Sequence, residues 1–598
     1  MIRKKATLAK KMARDERKQK RSLSTRRTTK ATISPRSSIS APATDRPKQH
    51  NSILPVVRAR GSRTTSVALD PEPVLDVHDI QGNIIAGFNK DIQVLAAFKI
   101  RNRAAAKRWL RRITPEINNA SELLQFNAVF RQRRMRLGKD PEGLTATWVN
   151  IAFSFAGLKA LTSEAAVEKI EDDAFKIGLS GGRAALLNDP PAAGETDPTA
   201  HWVIGGVKNT PDIFMIIASD TQNALDETLA RVLPGAGDGL ETPVVIWSEK
   251  GETRSDLPGH EHFGFKDGVS QPGVRGRASE RVDDFVTQRY LDPSDPQSNN
   301  VGRPGQPLIQ PGVFLLGCQS QNDKTGQPEE AVVPQPAWLK NGSFLVFRRL
   351  NQDVSGFRDF VRDATAKLAA TPAFPGITET RLAALLVGRW PSGAPLARSP
   401  LADSRALGND NNSNNDFQYA QDSAPVRLKP ESMPVSAPRA QRDIDGLITP
   451  HAAHIRKVNP RNVTTTDLGN QFDTMRRRIL RRGIPFGPPF DSPIGGKGAE
   501  RGLHFLCYQA SIVEQFEKLQ QDWANSHSNP EPGVGGHDLI IGQVDGGTRS
   551  ADLLTPDANG QETILAPLKQ WVTPTGGGYF FAPSISALKH VLSAEDSS

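Results

Sequence analysis

Three short segments of the chain combine residue types that could do chemistry. The first, GHEHFGFKDGVSQP at 259–272, places Asp267 in a turn between two glycines. Lys-Asp-Gly is a common turn sequence. The segment also fits a carboxylate held against a ligand, because Gly264 and Gly268 let the backbone approach closely. Both interpretations are open from this segment alone.

The second segment, HAAHIRKVNPR at 451–461, contains two histidines three residues apart. On a helix, His451 and His454 would share one face. Both are structural or surface histidines, or one of them is an imidazole ligand to a metal or a haem iron. No nearby set of Cys, His and carboxylate residues completes a tetrahedral zinc site. A bound metal would therefore need most of its ligands from another group, such as a porphyrin.

The third segment, DTMRRRILRRGIPFG at 473–487, is strongly basic. It predicts a helix that ends at Gly483, since arginines are favoured near the C-terminal end of the helix dipole. The alternative is an arginine that faces an anion or a developing negative charge.

The elements that must position these segments alternate between strands and helices. Strands are predicted for LAAFKI, TWVNIAFS, DIFMIIASD, TPVVIWSE, GVFLLG, GSFLVFRRL and LHFLCYQAS. Helices are predicted for NRAAAKRWLRRI, TQNALDETLARVL, VSGFRDFVRDATAKL and IVEQFEKLQQDWAN, and a short one within HDIQGNIIAGFNKD. The long irregular connection at 391–450 is typical of a functional or disordered segment. This order indicates an α+β protein with two sheet-and-helix units.

Composition and charge exclude several classes of protein. No run of about 18 apolar residues is present, so no membrane-spanning helix is predicted. Cys318 and Cys507 are the only cysteines and cannot build a disulfide framework or a Cys-rich metal site. No apolar segment typical of a secretory signal follows the N-terminal basic residues. We therefore expect a cytoplasmic protein.

The net charge of +10 lies entirely in the N-terminal tail. Residues 1–60 contain 18 Lys or Arg and 3 Asp or Glu, whereas the remaining residues are mildly acidic. We predict a disordered basic tail at 1–72. It is a solvated tail, an electrostatic attachment to polyanions such as nucleic acid or acidic membrane, or an organelle-targeting segment. A nucleic-acid-associated protein that uses this tail is a further alternative, but interleaved aromatic residues and a recognised binding module are lacking.

Taken together and in order, GFKDG, AHIRKVNPR, ILRRGIPFG and GLHFLCYQASIVEQFEKLQ resemble the dye-decolorising peroxidases. DIQGNIIAGFNKD and GGGYFFAPSISAL match the opening and closing segments of that family, so the resemblance spans about residues 76 to 594. The extended loops resemble the larger, long-form subgroup. The resemblance implies two ferredoxin-like modules with antiparallel sheets around one haem b. We predict an N-terminal module at 73–285 and a C-terminal haem-binding module at 286–598.

On the proximal side of the haem, the resemblance implies that His454 is the iron ligand. Asp538, in GGHDLIIGQ, best matches the carboxylate that hydrogen-bonds this histidine. Arg461, in NPR, matches a residue near a haem propionate. Many relatives have Cys-Pro before the histidine motif, where this chain has Thr449-Pro450 followed by His451, a competing histidine.

On the distal side, the resemblance implies that Asp267 is the carboxylate of the GxxDG signature and Arg481 is the distal arginine. Leu503 and Phe505 match the apolar pair that closes the distal pocket. Asp267 would act as general base and then acid on hydrogen peroxide, and Arg481 would stabilise the departing hydroxide.

The implied activity is that of a haem peroxidase, which reduces hydrogen peroxide and oxidises dyes, phenols or other bulky one-electron donors through a ferryl intermediate. The alternative is a haem or iron handling protein without peroxidase activity on the same fold. Bulky dyes cannot reach a buried haem, so surface Trp or Tyr residues are candidate electron relays, although core packing explains each one as well. The candidates in the C-terminal half are Trp338, Trp390, Trp523, Trp571, Tyr290, Tyr419 and Tyr508.

Overall fold

Nine strands form one antiparallel sheet that runs through both halves of the molecule. In this computed structural model, the described residues are 72–235, 242–289, 299–427, 436–532, 535–544, 548–554, 562–567 and 569–595. The strands of the sheet are β1 Ile92–Lys99, β2 Thr147–Phe153, β3 Ile213–Ser219, β4 Val244–Glu252, β5 Ser343–Gln352, β6 Leu480–Arg481, β7 Ile484–Phe486, β8 Gly502–Gln509 and β9 Val572–Ala582. Except for Glu72, the predicted tail at 1–72 lies outside the described residues.

In each half of the chain, a helix follows the first strand of the main sheet and another helix precedes the last one, with the remaining strands between them. In the first half, β1 to β4 are arranged as β4–β1–β3–β2. In the second half, the order is β6 and β7 beside β8, then β5, then β9. The halves meet where Phe153 of β2 lies opposite Phe581 of β9. The predicted α+β fold with two antiparallel, ferredoxin-like units is therefore confirmed, while the predicted module boundary at 285/286 stays a prediction.

The two ends of the sheet also approach each other, which gives the fold its barrel character. A Cβ on Gly251 of β4 would lie 2.5 Å from a side-chain carbon of Ile484 in β7. His504 of β8 bonds Glu249 of β4 across the same seam, with 2.7 Å between Nε2 and Oε2. In the part of the chain that the structure describes, no strand ladder joins β4 to β7, so the barrel is not closed by backbone hydrogen bonds.

The helices and smaller elements connect and cover this sheet. The α-helices are Gly82–Ile85, Arg103–Ile113, Ala120–Leu137, Phe155–Leu161, Glu164–Val167, Asp173–Ile177, Arg183–Leu186, Gln222–Val232, Val354–Ala369, Glu379–Val387, Arg405–Asn409, His454–Lys457, Asp473–Arg476 and Ile585–Ala587. Short 3₁₀ turns are Thr114–Glu116, Leu179–Gly181, Pro311–Val313 and Ala337–Leu339, and π-type helices are Ile512–Ala524 and Leu588–Leu592. Small strands outside the main sheet are Gly273–Val274, Val301–Arg303, Gln306–Ile309, Ser320–Gln321, Pro328–Glu329, Val426–Arg427, Ser436–Ala437, Ala551–Leu554 and Glu562–Leu565.

Strand β3 shows why the sheet carries a core on each face. All of its residues are buried, and successive side chains point to opposite faces. Ile213, Met215 and Ile217 belong to the core under helix Arg103–Ile113, whereas Phe214 and Ile216 belong to the core on the other side. A strand buried on both faces reads as a continuous apolar run, as DIFMIIASD does.

Two sequence-based predictions of local structure are wrong. GVFLLG is not a strand: Pro311–Val313 is a 3₁₀ turn, and Phe314 and Leu315 are buried after it. The basic segment at 473–487 does not form a helix ending at Gly483. Its helix is limited to Asp473–Arg476, because Leu480–Arg481 and Ile484–Phe486 pair with β8. Tertiary pairing overrides the helical preference of the arginines there. Within the described residues, no helix is long and apolar enough to cross a lipid bilayer.

Candidate functional site

A cavity lies against one face of the C-terminal strands, under the loop that follows β4. Six of the predicted site residues line it: Asp267, His454, Arg461, Arg481, Leu503 and Phe505. The seventh, Asp538, does not line the cavity but contacts Nδ1 of His454. The fold thus brings together residues that lie up to 271 positions apart in the sequence.

His454 is the first residue of the short helix His454–Lys457. Its Nδ1 lies 2.7 Å from Oδ2 of Asp538, which is fully buried. The other carboxylate oxygen of Asp538 accepts the backbone N–H groups of Ile540 at 2.8 Å and Ile541 at 3.1 Å. With Nδ1–H donated to this fixed carboxylate, Nε2 of His454 keeps its lone pair for a ligand in the cavity.

Two opposing effects act on the pKa of His454. Burial lowers it, but the Asp538 carboxylate outweighs burial, so the pKa lies above its ordinary value. The same carboxylate makes the imidazole a stronger electron donor to a metal.

His451 lies elsewhere, although it is three residues from His454. Its Nε2 lies 2.6 Å from the carbonyl oxygen of Ile444, and it does not line the cavity. The two histidines do not share a helix face, because the helix begins at His454 and His451 belongs to the preceding turn.

Asp267, in the loop at 259–272, and Arg481, on strand β6, form an ion pair in the wall of the cavity. Nη1 of Arg481 donates to Oδ1 of Asp267 at 2.7 Å, and the two side chains are 30% and 35% exposed. Because both line the cavity, this exposure is toward the space where a ligand would bind. Gly268, which has a φ of +70°, also donates its N–H to Oδ1 of Asp267 at 2.6 Å.

The backbone around this ion pair is held in place by side chains. Gln271 donates through Nε2 to the carbonyl oxygen of Arg481 at 3.0 Å and accepts the Arg481 N–H at 3.3 Å. Arg481 Nη2 donates to the Ser270 carbonyl oxygen at 3.1 Å. Burial raises the pKa of Asp267, but the Arg481 guanidinium outweighs it, so the pKa lies below the ordinary range. Asp267 is therefore ionised at neutral pH and can accept a proton.

Sequence reasoning missed Glu261, which lies in the same segment as Asp267 and lines the cavity. Its carboxylate accepts the N–H groups of Phe263 at 2.7 Å and Phe265 at 2.9 Å, and Nε2 of Gln352 at 2.6 Å. Burial raises the pKa of Glu261. Glu261 thus fixes the loop that carries Asp267, and the only sequence signal for it was its place in GHEHFGF.

Arg389, Arg461 and Arg478 are three of the arginines that line the cavity. Arg389 donates to the carbonyl oxygens of Gly393 and Asn414, and Arg461 donates to that of Phe417 at 2.8 Å. None of the three has a carboxylate ion-pair partner among the described residues. Burial lowers the pKa of Arg389 and of Arg478 to about 9 each. This concentration of positive charge favours a bound anionic group.

Leu503 and Phe505 supply an apolar wall from strand β8. They are two residues apart on the strand and so point to the same face, while His504 between them points to the opposite face and contacts Glu249. Phe505 packs on Phe516 with 6.0 Å between ring centroids.

The residues present fit an iron porphyrin. One imidazole is oriented by a carboxylate, apolar side chains form walls, and arginines are available to carboxylate side groups of the macrocycle. Among the described residues, no group of three or more His, Cys, Asp or Glu side chains could hold a metal ion alone. A single imidazole suits a metal whose other ligands belong to the bound group.

Comparisons with known proteins agree with this geometry. The family model described as "DyP dimeric alpha+beta barrel domain" matches residues 79–254, and "Dyp-type peroxidase, C-terminal" matches 408–532. The chain is similar to dye-decolorizing peroxidase msp1 of Mycetinis scorodonius, with 31% identity over 92% of this chain and 94% of the relative. It is also similar in structure to an ancestral D-type dye decolorizing peroxidase, with 32% identity, 87% of this chain and 100% of that chain covered, and a TM-score of 0.66. The corresponding values for the crystal structure of a DyP-type peroxidase from Auricularia auricula-judae are 30%, 87%, 99% and 0.64.

Proposed function

The chain belongs to the dye-decolorizing peroxidase family and is a peroxidase, and from that premise we propose how its own residues carry out the reaction. In this proposal the cavity binds haem b, and Asp267, Arg481 and His454 serve the reduction of hydrogen peroxide by dyes, phenols or other bulky one-electron donors. The observation that carries it is the presence of the Asp267–Arg481 and His454–Asp538 pairs at one cavity. A protein that only stores haem needs no acid–base pair beside its ligand.

Four residues would hold the cofactor. His454 binds the iron through Nε2, and Asp538 orients the ring and raises its basicity. Arg461 and Arg478 neutralise the propionate groups. They are available for this role because neither has a carboxylate ion-pair partner within the described residues. When bound, the haem supplies the iron at which peroxide is split and through which electrons arrive.

Asp267 and Arg481 would manage the proton and the charge of peroxide. Cleavage of the O–O bond requires a proton to move from one peroxide oxygen to the other. Ionised Asp267 takes the first proton as a general base and returns it to the departing oxygen as a general acid. Arg481 stabilises the negative charge that develops on that oxygen. Two donor molecules then supply one electron and one proton each, so that one hydrogen peroxide becomes two waters.

The path of electrons from bulky donors stays a prediction. Trp390, Trp523, Trp571, Tyr419 and Tyr508 are all at most 3% exposed, which fits core packing. Trp338 is partly buried and packs edge-on against Phe581 at 6.0 Å between ring centroids. Tyr290 lies outside the described residues.

The role of the basic tail is separate from that of the catalytic residues. We propose that it adds a partner with acidic groups, such as a polyanion, without contributing to catalysis. Support comes from the charge of the sequence alone, since every motif of the site lies beyond residue 258.

The test of the proposed function is an absorption spectrum of the haem-loaded protein before and after one equivalent of hydrogen peroxide. We expect the Soret band to shift, and to return when two equivalents of a phenol are added. An unchanged Soret band together with unconsumed peroxide would contradict peroxidase function and favour the haem or iron handling alternative.

A further inference from the structure

A second pocket lies on the surface beside the cavity, with a volume of about 510 Å³. We call it the arginine pocket and define it by its lining residues: Arg303, Arg405, Ala406, Asn409, Asp410, Asn411 and Asn412. None of them belongs to the catalytic site described above.

One side chain connects the arginine pocket to the cavity. Lys266, which precedes Asp267 in the chain, lines the cavity. Its ammonium group donates to Oδ1 of Asn409 at 3.0 Å and to the carbonyl oxygen of Gly408 at 3.3 Å. Because Asn409 lines the arginine pocket, the linings of the pocket and the cavity are in direct contact through Lys266.

The pocket carries positive charge that the described residues do not neutralise. Arg303 and Arg405 are exposed, and neither forms an ion pair within the described ranges. The acidic residue of the lining, Asp410, accepts the N–H of Asn412 at 2.9 Å. The lining therefore keeps a net positive charge.

A third guanidinium extends this positive region. Arg131, on helix Ala120–Leu137, also has no carboxylate partner in the portion of the chain that is described. Burial lowers the pKa of Arg131, and the nearby charge of Arg303 lowers it further. Three guanidinium groups beside a single lining carboxylate favour a bound anion.

We propose that the arginine pocket docks anionic reducing substrates, namely aromatic donors that carry sulfonate or carboxylate groups. Guanidinium groups bind such oxyanions in bidentate geometry and stack on aromatic rings, and the Asn409, Asn411 and Asn412 amides offer further donors. The pocket volume suits a ligand of dye size. The proposal rests on the proposed peroxidase function: each docked donor gives up one electron and one proton, and two donors reduce one hydrogen peroxide to two waters.

The experiment compares the double variant Arg303→Gln/Arg405→Gln with the original full-length, haem-loaded protein. Binding of a sulfonated azo dye is measured without peroxide by equilibrium dialysis, and KM and kcat are measured with the same dye and with a neutral phenol. We expect the Kd and the KM for the dye to rise together by about three- to tenfold, because two exposed charge contacts are lost. The kcat for the dye and the KM for the phenol should change by less than about twofold.

A matched control removes the same charge elsewhere. Arg101 and Lys367 are exposed and line neither pocket, so Arg101→Gln/Lys367→Gln should leave the Kd for the dye unchanged. The variant Arg303→Lys/Arg405→Lys keeps the charge and should retain most of the dye affinity.

An unchanged Kd in Arg303→Gln/Arg405→Gln would overturn the proposal. So would an equal loss in the control pair, which would assign the effect to whole-protein charge, or an equal rise in KM for the phenol. Failure of the proposed function is distinguishable, because dialysis requires no peroxide. If the original protein oxidises neither donor, the peroxidase proposal fails while the binding measurement still decides the docking site.

Discussion

The two halves of the sheet are built alike, and the cavity lies against the strands of the second half. In the first half, helix Arg103–Ile113 packs Trp109 and Leu110 onto the sheet, in one core with Met215 of β3. In the second half, helix Val354–Ala369 instead packs against helix Glu379–Val387. The strand face that is left lines the cavity with residues such as Leu350 and Leu503.

Strand β5 of the second half and strand β3 of the first half differ in the same way. On one face of β5, Val346 belongs to the apolar core, whereas Arg348, Leu350 and Gln352 line the cavity. No residue of β3 departs from burial in this way. The same fold therefore serves two purposes, since one half supplies packing and the other half supplies a lined space. Changes on the strands and helices of the first half should affect stability, whereas changes at the cavity, including Asp267 in the loop after β4, should affect haem and peroxide.

The strongest way to break this comparison is to remove the proposed iron ligand. His454→Ala should lose most of the bound haem, because it removes the only protein bond to iron that we propose. His451→Ala is the matched control and should keep the haem, since His451 contacts the Ile444 carbonyl oxygen outside the cavity. Haem content per protein, measured from the Soret absorbance, decides between them. Haem loss in the control and retention in His454→Ala would show that the ligand assignment is wrong.

A change in the first half should act on stability instead. Trp109 is 3% exposed, packs on Phe98 at 5.5 Å between ring centroids, and donates Nε1–H to the Val232 carbonyl oxygen at 3.0 Å. Trp109→Ala should lower the free energy of unfolding by about 3–5 kcal/mol. The protein that remains folded should react with peroxide at the original rate.

The counterpart in the second half is Leu503→Ala. Because Leu503 is only half-buried, the loss of unfolding free energy should be roughly 1 kcal/mol. Denaturant unfolding curves of the two variants give both values. Equal losses of stability would remove the distinction between the halves.

Asp538→Asn sharpens the comparison within the cavity. An amide in place of the buried carboxylate removes the charge that orients His454 but keeps the side-chain size. The affinity for haem should fall by about 10- to 100-fold, as for other partners of metal-binding histidines. Haem transfer to apomyoglobin measures this affinity. A variant that holds haem as tightly as the original would exclude a role for Asp538 in ligation.

The smallest expected effect is a shift in pH dependence. Since Arg481 lowers the pKa of Asp267, Asp267 stays ionised into acid, and the rate with peroxide should fall only as the pH drops through this lowered pKa. In Arg481→Leu, the effect of burial remains and that of the guanidinium is lost, so the acid limb of the profile should move to higher pH. A profile of kcat/KM for peroxide against pH would contradict this account if the limb did not move.

Much of the fold could be predicted from local sequence. Runs such as DIFMIIASD and GSFLVFRRL predict strands correctly because their apolar patterns match burial on the sheet. The segment 473–487 was interpreted as a helix because β6 and β7 form only against β8, some twenty residues later in the chain. GVFLLG is buried as expected, but an apolar run this short does not distinguish a strand from a turn.

The motifs of the family, rather than the local sequence pattern, predict the residues of the candidate site. Asp267 and Arg481 are 214 residues apart, and no periodicity relates them. Arg389 and Arg478 were missed, because an arginine in a loop shows its lack of carboxylate partners only after folding. Glu261 was missed for a similar reason: its role depends on the backbone N–H groups that the loop turns toward it.

The most direct test of the central claim is the rate at which the haem-loaded protein reacts with hydrogen peroxide, followed by stopped-flow absorbance in Asp267→Asn and Arg481→Leu. Asp267→Asn removes the general base and should lower the rate by about 100- to 10,000-fold. Arg481→Leu removes one preorganised donor and should lower it by about 100- to 1000-fold. Both variants should bind haem as the original does, because neither side chain ligates iron. Rates near the original in both variants would contradict the assignment of Asp267 and Arg481 as the residues that act on peroxide.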